Sequence, residues 1–337
     1  LTFDMRGCNI KDNHHDELLV GGQGAVVADG SLAGSVTRRP LSTWHRGPAS
    51  LPFGRHIVRI ANLSGRLALI VDGQAVDVEQ ASAGHFSADP QAVYERWEEF
   101  RAWAATRRLP EGRAFQAAEL GSPAPAPRQT LAIGLNYRDH ASESGFAVPE
   151  GLPPVFTKFV TSISGPLSEV KLPEGGDTDW EVELVAVIGP RAEAVPEEDA
   201  WGHVAGLAVG QDISERITQL AGPAPQFSLG KSFPGFAPIG PWLVTPDEFD
   251  DPDDLELSCA INGEEVQKGR TRDLIFSVPA LISKLSAVLP LLPGDVVFTG
   301  TPAGVGLGRD PQRFLSAGDE LVSTIEGIGE LRQTFTV

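Results

Sequence analysis

Cysteine is scarce in this chain, with two in 337 residues, Cys8 and Cys259. Their spacing fits no metal or redox motif, which excludes a disulfide-built scaffold or a zinc ribbon. That usage suits a reducing compartment. Positive charge is also in deficit: 27 Lys and Arg stand against 45 Asp and Glu, a formal net charge of −18. Such a surface argues against non-specific nucleic-acid binding, and an anionic substrate would need cations gathered locally. No apolar run approaches the ~20 residues of a membrane span, and no charged-then-apolar leader precedes the folded part. The expectation is a cytoplasmic, soluble protein with no nucleic-acid or membrane partner. There is no internal repeat and no strand–helix alternation of the kind that builds a doubly wound sheet.

What is present reads as strands. The length allows about two domains on a ~150-residue prior. Residues 1–54 show no periodicity and read as a poorly ordered extension, or as sequence upstream of a natural start; the first residue is Leu1 and the only methionine is Met5. HIVRIANL and RLALIVDG flank Ser64-Gly65, a hairpin signal. Residues 75–81 suggest a third strand. Residues 90–108 carry Val93, Trp97, Phe100, Trp103 and Ala104 at helical spacing, with Pro90 in the first turn and Ser87 or Asp89 as cap. This predicts a small α+β domain over 55–115, a Pro-rich linker over 116–129 and a strand-dominated domain over 130–337. Residues 277–289 form the one clear helix of the last part, with Ser277 as cap and Pro279 in its first turn. The expected class is α+β, mainly β, with a mixed β-roll or barrel-like second domain.

The stretch DWEVELVAVIG concentrates the chemistry. Glu181 and Glu183 lie two apart on a strand-like run, so they share a face. Two carboxylates beside Val, Leu and Ile repel each other and lose solvation, which a divalent cation would relieve. Asp212, in VGQDIS at the end of another apolar run, would complete an all-oxygen set suited to Mg²⁺ or Mn²⁺, with Ca²⁺ also compatible. The alternative is a solvated edge-strand face. His140 and Glu143, three apart in NYRDHASE, meet on one side of a helical turn, where a carboxylate fixes the imidazole tautomer and raises its basicity; an ordinary surface contact is the alternative. Lys231 sits in a Gly/Pro/Phe loop, where a lysine can stabilise an oxyanion or simply be solvated. FTGTPAGVG, with Gly300 and Thr301, is a Gly-rich turn after a strand whose N–H groups could cradle an anion. It lacks the Gly-Lys-Ser/Thr of a nucleotide loop.

Taken together, GLNYRDHASE, VFTKFVTSISGP, DWEVELVAVIG, GQDISERITQ, GKSFPGFAPIGPW, INGEEVQKGRTRDLIF, LLPGDVVFTGTPAGVG and AGDELVSTIEGIGEL resemble the fumarylacetoacetate hydrolase family, in its order, over nearly all of residues 130–336. The unit at 56–115 resembles the N-terminal domain of many members. The resemblance implies a twisted β-roll, homodimers and a divalent metal on Glu181, Glu183 and Asp212. It further implies a His140–Glu143 water-activating pair of the acylpyruvase-like type, an active-site Lys231, a substrate- or water-orienting Gln219, and Thr301 in the substrate-binding turn. In the mechanism this suggests, the Thr301 loop with Arg138 would hold the substrate carboxylate. The chain departs from the family's pattern at Gln211, where Asn is common before the metal Asp, and at Ile217, where an acid often follows the arginine. A fourth acidic ligand is also absent. These departures bear on the substrate more than on the metal.

The implied activity is hydrolysis of a carbon–carbon bond in a small β-diketo or acylpyruvate-type acid. Oxaloacetate-type decarboxylation and keto–enol or double-bond isomerisation use the same kind of site. A non-catalytic metal-binding scaffold is the reading from a different class; it would be favoured by loss of an acid or of His140, and all are present. Trp180, Phe233, Phe236 and Trp242 offer an apolar lining for a substituent or, equally, core packing.

Overall fold

Ser64 and Gly65 both adopt positive φ, 51° and 82°, as a two-residue type I′ hairpin requires. They join β1 (Arg59–Leu63) to β2 (Arg66–Val71), which β3 (Gln74–Asp77) follows. The computed structural model describes residues 58–106, 109–143 and 151–337; the extension expected over 1–54 lies outside them. The third strand is shorter than expected. Asp77 ends it by accepting the Gln80 N–H at 3.0 Å, and α1 (Val78–Ala81) takes over. A carboxylate cap outweighs the continuing alternation there. The helix expected over 90–108 opens as a 3-10 turn, Ala92–Arg96, and becomes α2 (Trp97–Thr106).

The segment read as a proline linker is held along its course. The hydroxyl of Tyr94 donates to the Pro123 carbonyl at 3.0 Å, and the Gln129 N–H reaches Asp295 Oδ1 at 2.9 Å. Around and beyond it run β4 (Leu120–Gly121), β5 (Thr130–Ile133), α3 (Arg138–Glu143), β6 (Val155–Thr157), β7 (Ile163–Ser164), β8 (Leu167–Lys171), β9 (Thr178–Asp179) and β10 (Val182–Ile188). They are followed by β11 (Val204–Gln211), β12 (Ser214–Glu215), α4 (Arg216–Gln219), α5 (Phe227–Gly230), β13 (Ala237–Val244), β14 (Glu256–Ile261) and β15 (Glu264–Arg270). The chain closes with α6 (Val278–Ser286), β16 (Val296–Phe298), β17 (Glu320–Ile325) and β18 (Gly329–Thr336). Ser277 caps α6 through the Ala280 N–H, with Pro279 in the first turn.

Two mixed sheets dominate, so the class is α+β with strands in the majority. The larger runs β3-β2-β1-β13-β11-β10-β16-β5-β6, with β4 also on β1 and β7 also on β13. The smaller runs β15-β14-β17-β18-β8, and β9 pairs with β12 separately. The N-terminal hairpin extends the larger sheet through β1 and β13, Arg59 opposite Val244. β10 is buried along its whole length. Leu184, Ala186 and Ile188 join the core that contains Leu257, Leu321 and Leu331 of the second sheet. Val185 and Val187 join the core built with Trp97 and Phe100 of α2. Coverage on both faces explains why this strand reads as an unbroken apolar run. No described helix is long and apolar enough to cross a membrane.

Candidate metal and active site

The register of β10 on β11 assembles the acids. Val182 faces Gln211 and Glu183 faces Gly210, and one step further the Asp212 N–H bonds the Glu181 carbonyl at 2.9 Å. Glu181 and Glu183 therefore point one way, and Asp212 enters beside them from the neighbouring strand end. One oxygen from each carboxylate lies within 4.8 Å of the others, and all three residues are buried. Gln211 supports the turn: its Oε1 accepts the Glu181 N–H at 2.9 Å and its Nε2 donates to Ser323 Oγ at 2.8 Å.

The two glutamates are treated oppositely. Lys231 Nζ reaches Glu181 Oε2 at 2.8 Å and Asp212 Oδ2 at 2.7 Å. Arg216 Nη1 reaches Glu181 Oε1 at 2.8 Å. Burial pushes the Glu181 carboxyl up, but Lys231 and then Arg216 hold it well below the usual range. Glu183 has no ion-pair partner among the described residues and accepts only the Gly300 N–H, at 2.7 Å. Burial, then Asp212 and Glu181, push its carboxyl well above the usual range. A buried carboxylate facing two others, with no ion pair of its own and Lys231 acting only from beyond them, is what a hard divalent cation would satisfy, and the donor set is all oxygen. The triad therefore fits a divalent metal.

The Gly-rich loop does cradle anions, but they are the protein's own. Gly300 serves Glu183. The Gly304 N–H reaches both Glu143 oxygens at 3.1 Å, and Gly306 and Leu307 donate to Asp179 at 2.6 and 2.9 Å. Gly300 and Gly304 have φ of +103° and +106°, and a Cβ would lie 2.7 Å from Asn136 Cβ and 2.3 Å from the Val266 carbonyl. Only glycine allows that approach. The Thr301 hydroxyl is engaged with the Val182 carbonyl and Gln267 Nε2, both at 2.9 Å.

His140 Nδ1 stands 3.4 Å from Glu143 Oε2 across one turn of α3. Burial raises the Glu143 carboxyl, but His140 and the Gly304 N–H together bring it below its ordinary value. A cavity of about 480 Å³ collects His140, Glu143, Glu181, Gln219, Lys231 and Thr301 in one lining. Glu183 and Asp212 do not line it; Lys231, which does, bonds Asp212 Oδ2 at 2.7 Å. Arg138 is exposed on α3 and does not line the cavity. Trp180, Phe236 and Trp242 are core residues, and Phe233 packs against them partly buried; the cavity's aromatics are instead Phe156 and Phe227.

Three site residues escaped the sequence reading. Arg216 lines the cavity and bonds Asp179, Glu181 and Gln219. Its spacing of three from Gln219 was a readable helical signal. Asp179, fully buried, receives Arg216 Nε and Nη2 at 2.9 and 2.6 Å besides the two loop N–H groups. It continues the alternation of Glu181 and Glu183 one step back. Lys158, fully buried, bonds Asp212 Oδ1 and the Lys231 carbonyl. Nothing local in VFTKFV marked it, because its partners lie more than fifty residues away. Burial, ahead of the opposing Asp212, lowers its ammonium below the usual lysine value, whereas Asp212 and Glu181 carry Lys231 above it against burial.

Residues 129–336 match the family described as fumarylacetoacetate (FAA) hydrolase C-terminal. This chain belongs to that family. Among FAA hydrolase relatives, the mitochondrial oxaloacetate tautomerase FAHD2A of Homo sapiens is 44% identical over 209 residues, 62% of this chain and 66% of that protein. The chain thus spans just under two thirds of that relative. The 2,4-didehydro-3-deoxy-L-rhamnonate hydrolase of a Sphingomonas strain is 46% identical over 215 residues, 63% of this chain and 75% of that protein. Maleylpyruvate hydrolase of Sphingobium sp. SYK-6, solved with manganese(II) and pyruvate, superposes with a TM-score of 0.67 at 29% identity, covering 82% of this chain and 98% of that one. The FAA hydrolase family thus contains hydrolases and a tautomerase, and a family neighbour holds manganese.

Proposed function

We propose that this protein hydrolyses a carbon–carbon bond in a small β-diketo or acylpyruvate-type acid, using a divalent metal, Mg²⁺ or Mn²⁺. The observation that carries the reading is the His140–Glu143 pair, which lines the same cavity as Glu181 of the acid cluster. The metal would be held by Glu181, Glu183 and Asp212, and when bound it supplies Lewis-acid polarisation of the keto-acid oxygens. Manganese and pyruvate in the maleylpyruvate hydrolase neighbour support both the ion class and the substrate class.

His140 takes a proton from water, with Glu143 orienting the ring and stabilising the imidazolium. The hydroxide oxygen bonds the distal carbonyl carbon. The bond between that carbon and its neighbour on the 2-oxo acid side then breaks, the electron pair leaving with the 2-oxo acid fragment, which regains a proton. One product is a carboxylic acid and the other a 2-oxo acid. Lys231 spends two of its three donors on Glu181 and Asp212, and its third is the group for the developing oxyanion. Gln219, its Oε1 occupied by Arg216 Nη1 at 2.9 Å, presents its amide N–H to water or to that oxygen. Gly304 keeps Glu143 in place.

A second reading follows from the human relative: His140 moves a proton between carbon and oxygen of oxaloacetate, with no water consumed. Incubation of the metal-loaded protein with acylpyruvates, oxaloacetate and fumarylacetoacetate-like acids, with products identified by mass, separates the two. Cleavage of an acylpyruvate with incorporation of water oxygen supports hydrolysis. Enol–keto interconversion with no cleavage of any diketo acid overturns it in favour of tautomerisation. We further propose a homodimer, supported by exposed Val155, Phe159, Val160 and Leu229 on and beside the edge strand β6 and α5.

A further inference from the structure

Trp180 stands between Asp179 and Glu181, with its ring fully buried in the core. Its one polar side-chain atom points to the Gly-rich loop: Nε1 donates to the Gly304 carbonyl at 3.2 Å. A buried indole N–H needs an acceptor, and this one takes a loop carbonyl. Arg309 reaches the same carbonyl through Nε at 3.4 Å and Nη2 at 3.3 Å, and its guanidinium lies 5.6 Å from the centre of the Trp180 ring. Its Nη2 is also anchored on the Val266 carbonyl at 2.7 Å.

The N–H of the same glycine holds Glu143, 3.1 Å from each carboxylate oxygen. Gly304 has little latitude, because its φ of +106° and the Val266 carbonyl 2.3 Å from a Cβ position fix it as glycine. Gly306 and Leu307 are pinned to Asp179 just beyond it. Gly308 presses on the same carboxylate side chain: a Cβ there would lie 2.4 Å from Glu143 Cγ. Rotation of the peptides flanking Gly304 would swing its N–H off Glu143, and the bonds to its carbonyl oppose that rotation. Burial raises the Glu143 carboxyl, and His140, then the Gly304 N–H and the Arg309 charge, act against it.

We propose that Trp180 and Arg309 are positioning residues for the acid–base pair. Through the Gly304 backbone they fix the Glu143 carboxylate, and so the His140 ring, relative to Glu181, the residue after Trp180. This rests on the reading of His140–Glu143 as the proton-transferring pair, and adds to it two side chains that do not line the cavity.

A double-mutant cycle on the Mn²⁺-loaded protein tests it, following both acetylpyruvate cleavage and oxaloacetate enol–keto interconversion. Trp180→Phe removes the indole N–H and keeps an aromatic ring. Arg309→Met removes the guanidinium without touching the core, and carries the test if the first variant folds poorly. Each should lower kcat about threefold to tenfold, as loss of a hydrogen bond does, with KM and calorimetric Mn²⁺ affinity within about twofold of the parent. Glu143→Ala should lower kcat by more than about tenfold. In that background Trp180→Phe and Arg309→Met should each change kcat by less than about twofold, because the side chain they place is gone. Hydrogen exchange gives a readout free of turnover: the Gly304 amide should exchange faster in each variant, while the Gly306 and Leu307 amides, held by Asp179, keep the parental rate. Full retention of both kcat losses in the Glu143→Ala background, or an unchanged Gly304 amide, overturns the proposal and leaves the His140–Glu143 reading standing. A parental rate in Glu143→Ala, or turnover of neither acid by the parent, overturns that reading and the proposal with it.

Discussion

The β10–β11 strand pair and the loop over residues 300–308 solve opposite halves of one electrostatic problem. The strand ends present carboxylates and bury them; the loop, with glycine at 300, 304, 306 and 308, supplies backbone N–H groups to acids. Glu181 and Asp212 are neutralised by lysine and arginine, Glu143 and Asp179 by the loop, with Arg216 also on Asp179. Glu183 alone is left with a single N–H and two like-charged neighbours. The lesson is that a cation site can be marked by the one acid that the surrounding protein leaves uncompensated.

The sharpest way to break this comparison is to neutralise the acids one at a time. Glu183→Gln should abolish metal-dependent turnover, by about a thousandfold or more, yet raise the melting temperature of metal-free protein. Its raised carboxyl pKa makes the folded state less stable at any pH above the ordinary carboxylate value, so removing the acid should stabilise the metal-free fold at neutral pH. That gain should vanish below about pH 4, where the carboxyl is protonated in both folded and unfolded chains. Glu181→Gln should also abolish turnover but lower stability by roughly 3 kcal/mol, because Lys231 and Arg216 lose a buried counter-charge. Denaturation with and without metal separates the two; equal signs would contradict the assignment of Glu183 as the uncompensated acid.

Next in size is His140→Ala, expected to reduce hydrolysis by about 10²–10⁴-fold with metal affinity unchanged by calorimetry. Parental rates in this variant would remove His140 from the chemistry. Asp179→Asn probes the loop side. It removes the charge and one of two acceptor oxygens, Oδ1 serving the Gly306 N–H and Oδ2 the Leu307 N–H and Arg216, and should reduce kcat by roughly tenfold through misplacement of the loop and Arg216. Metal affinity should stay within a few-fold of the parent. The smallest effect belongs to Glu215. It accepts the Ile217 and Thr218 N–H groups at 3.0 and 2.8 Å as the cap of α4, and against burial these bonds hold its carboxyl below the usual value. Glu215→Ala should cost about 1 kcal/mol at neutral pH. The difference from the parent should disappear as the pH falls through the depressed folded value of Glu215 into strong acid.

Much of the site was legible because its signals are local. Glu181 and Glu183 share a strand face by period, His140 and Glu143 share a helical turn, and the Gly-rich run after β16 announces a close backbone approach. Strand continuity at 182–188 and 204–211 was equally plain, because both faces are covered and the runs are apolar throughout. Asp77 shows the opposite case, where a cap visible in the sequence cut a strand that alternation alone would have extended. Lys158 shows the limit. A lysine between apolar residues carries no local signal of burial, and only its bonds to Asp212 and the Lys231 carbonyl, far along the chain, show where it goes.

The sequence by itself made most of the strands, the three acids and the His–Glu pair legible, because periodicity, capping and glycine freedom act within a few residues of the chain. Tertiary structure alone decided which acids are compensated, where the cations are spent, and which apolar residues line the cavity rather than the core. Those outcomes depend on distances between segments tens to more than a hundred residues apart, and Coulomb interaction and burial respond to that separation in space, which no local pattern records.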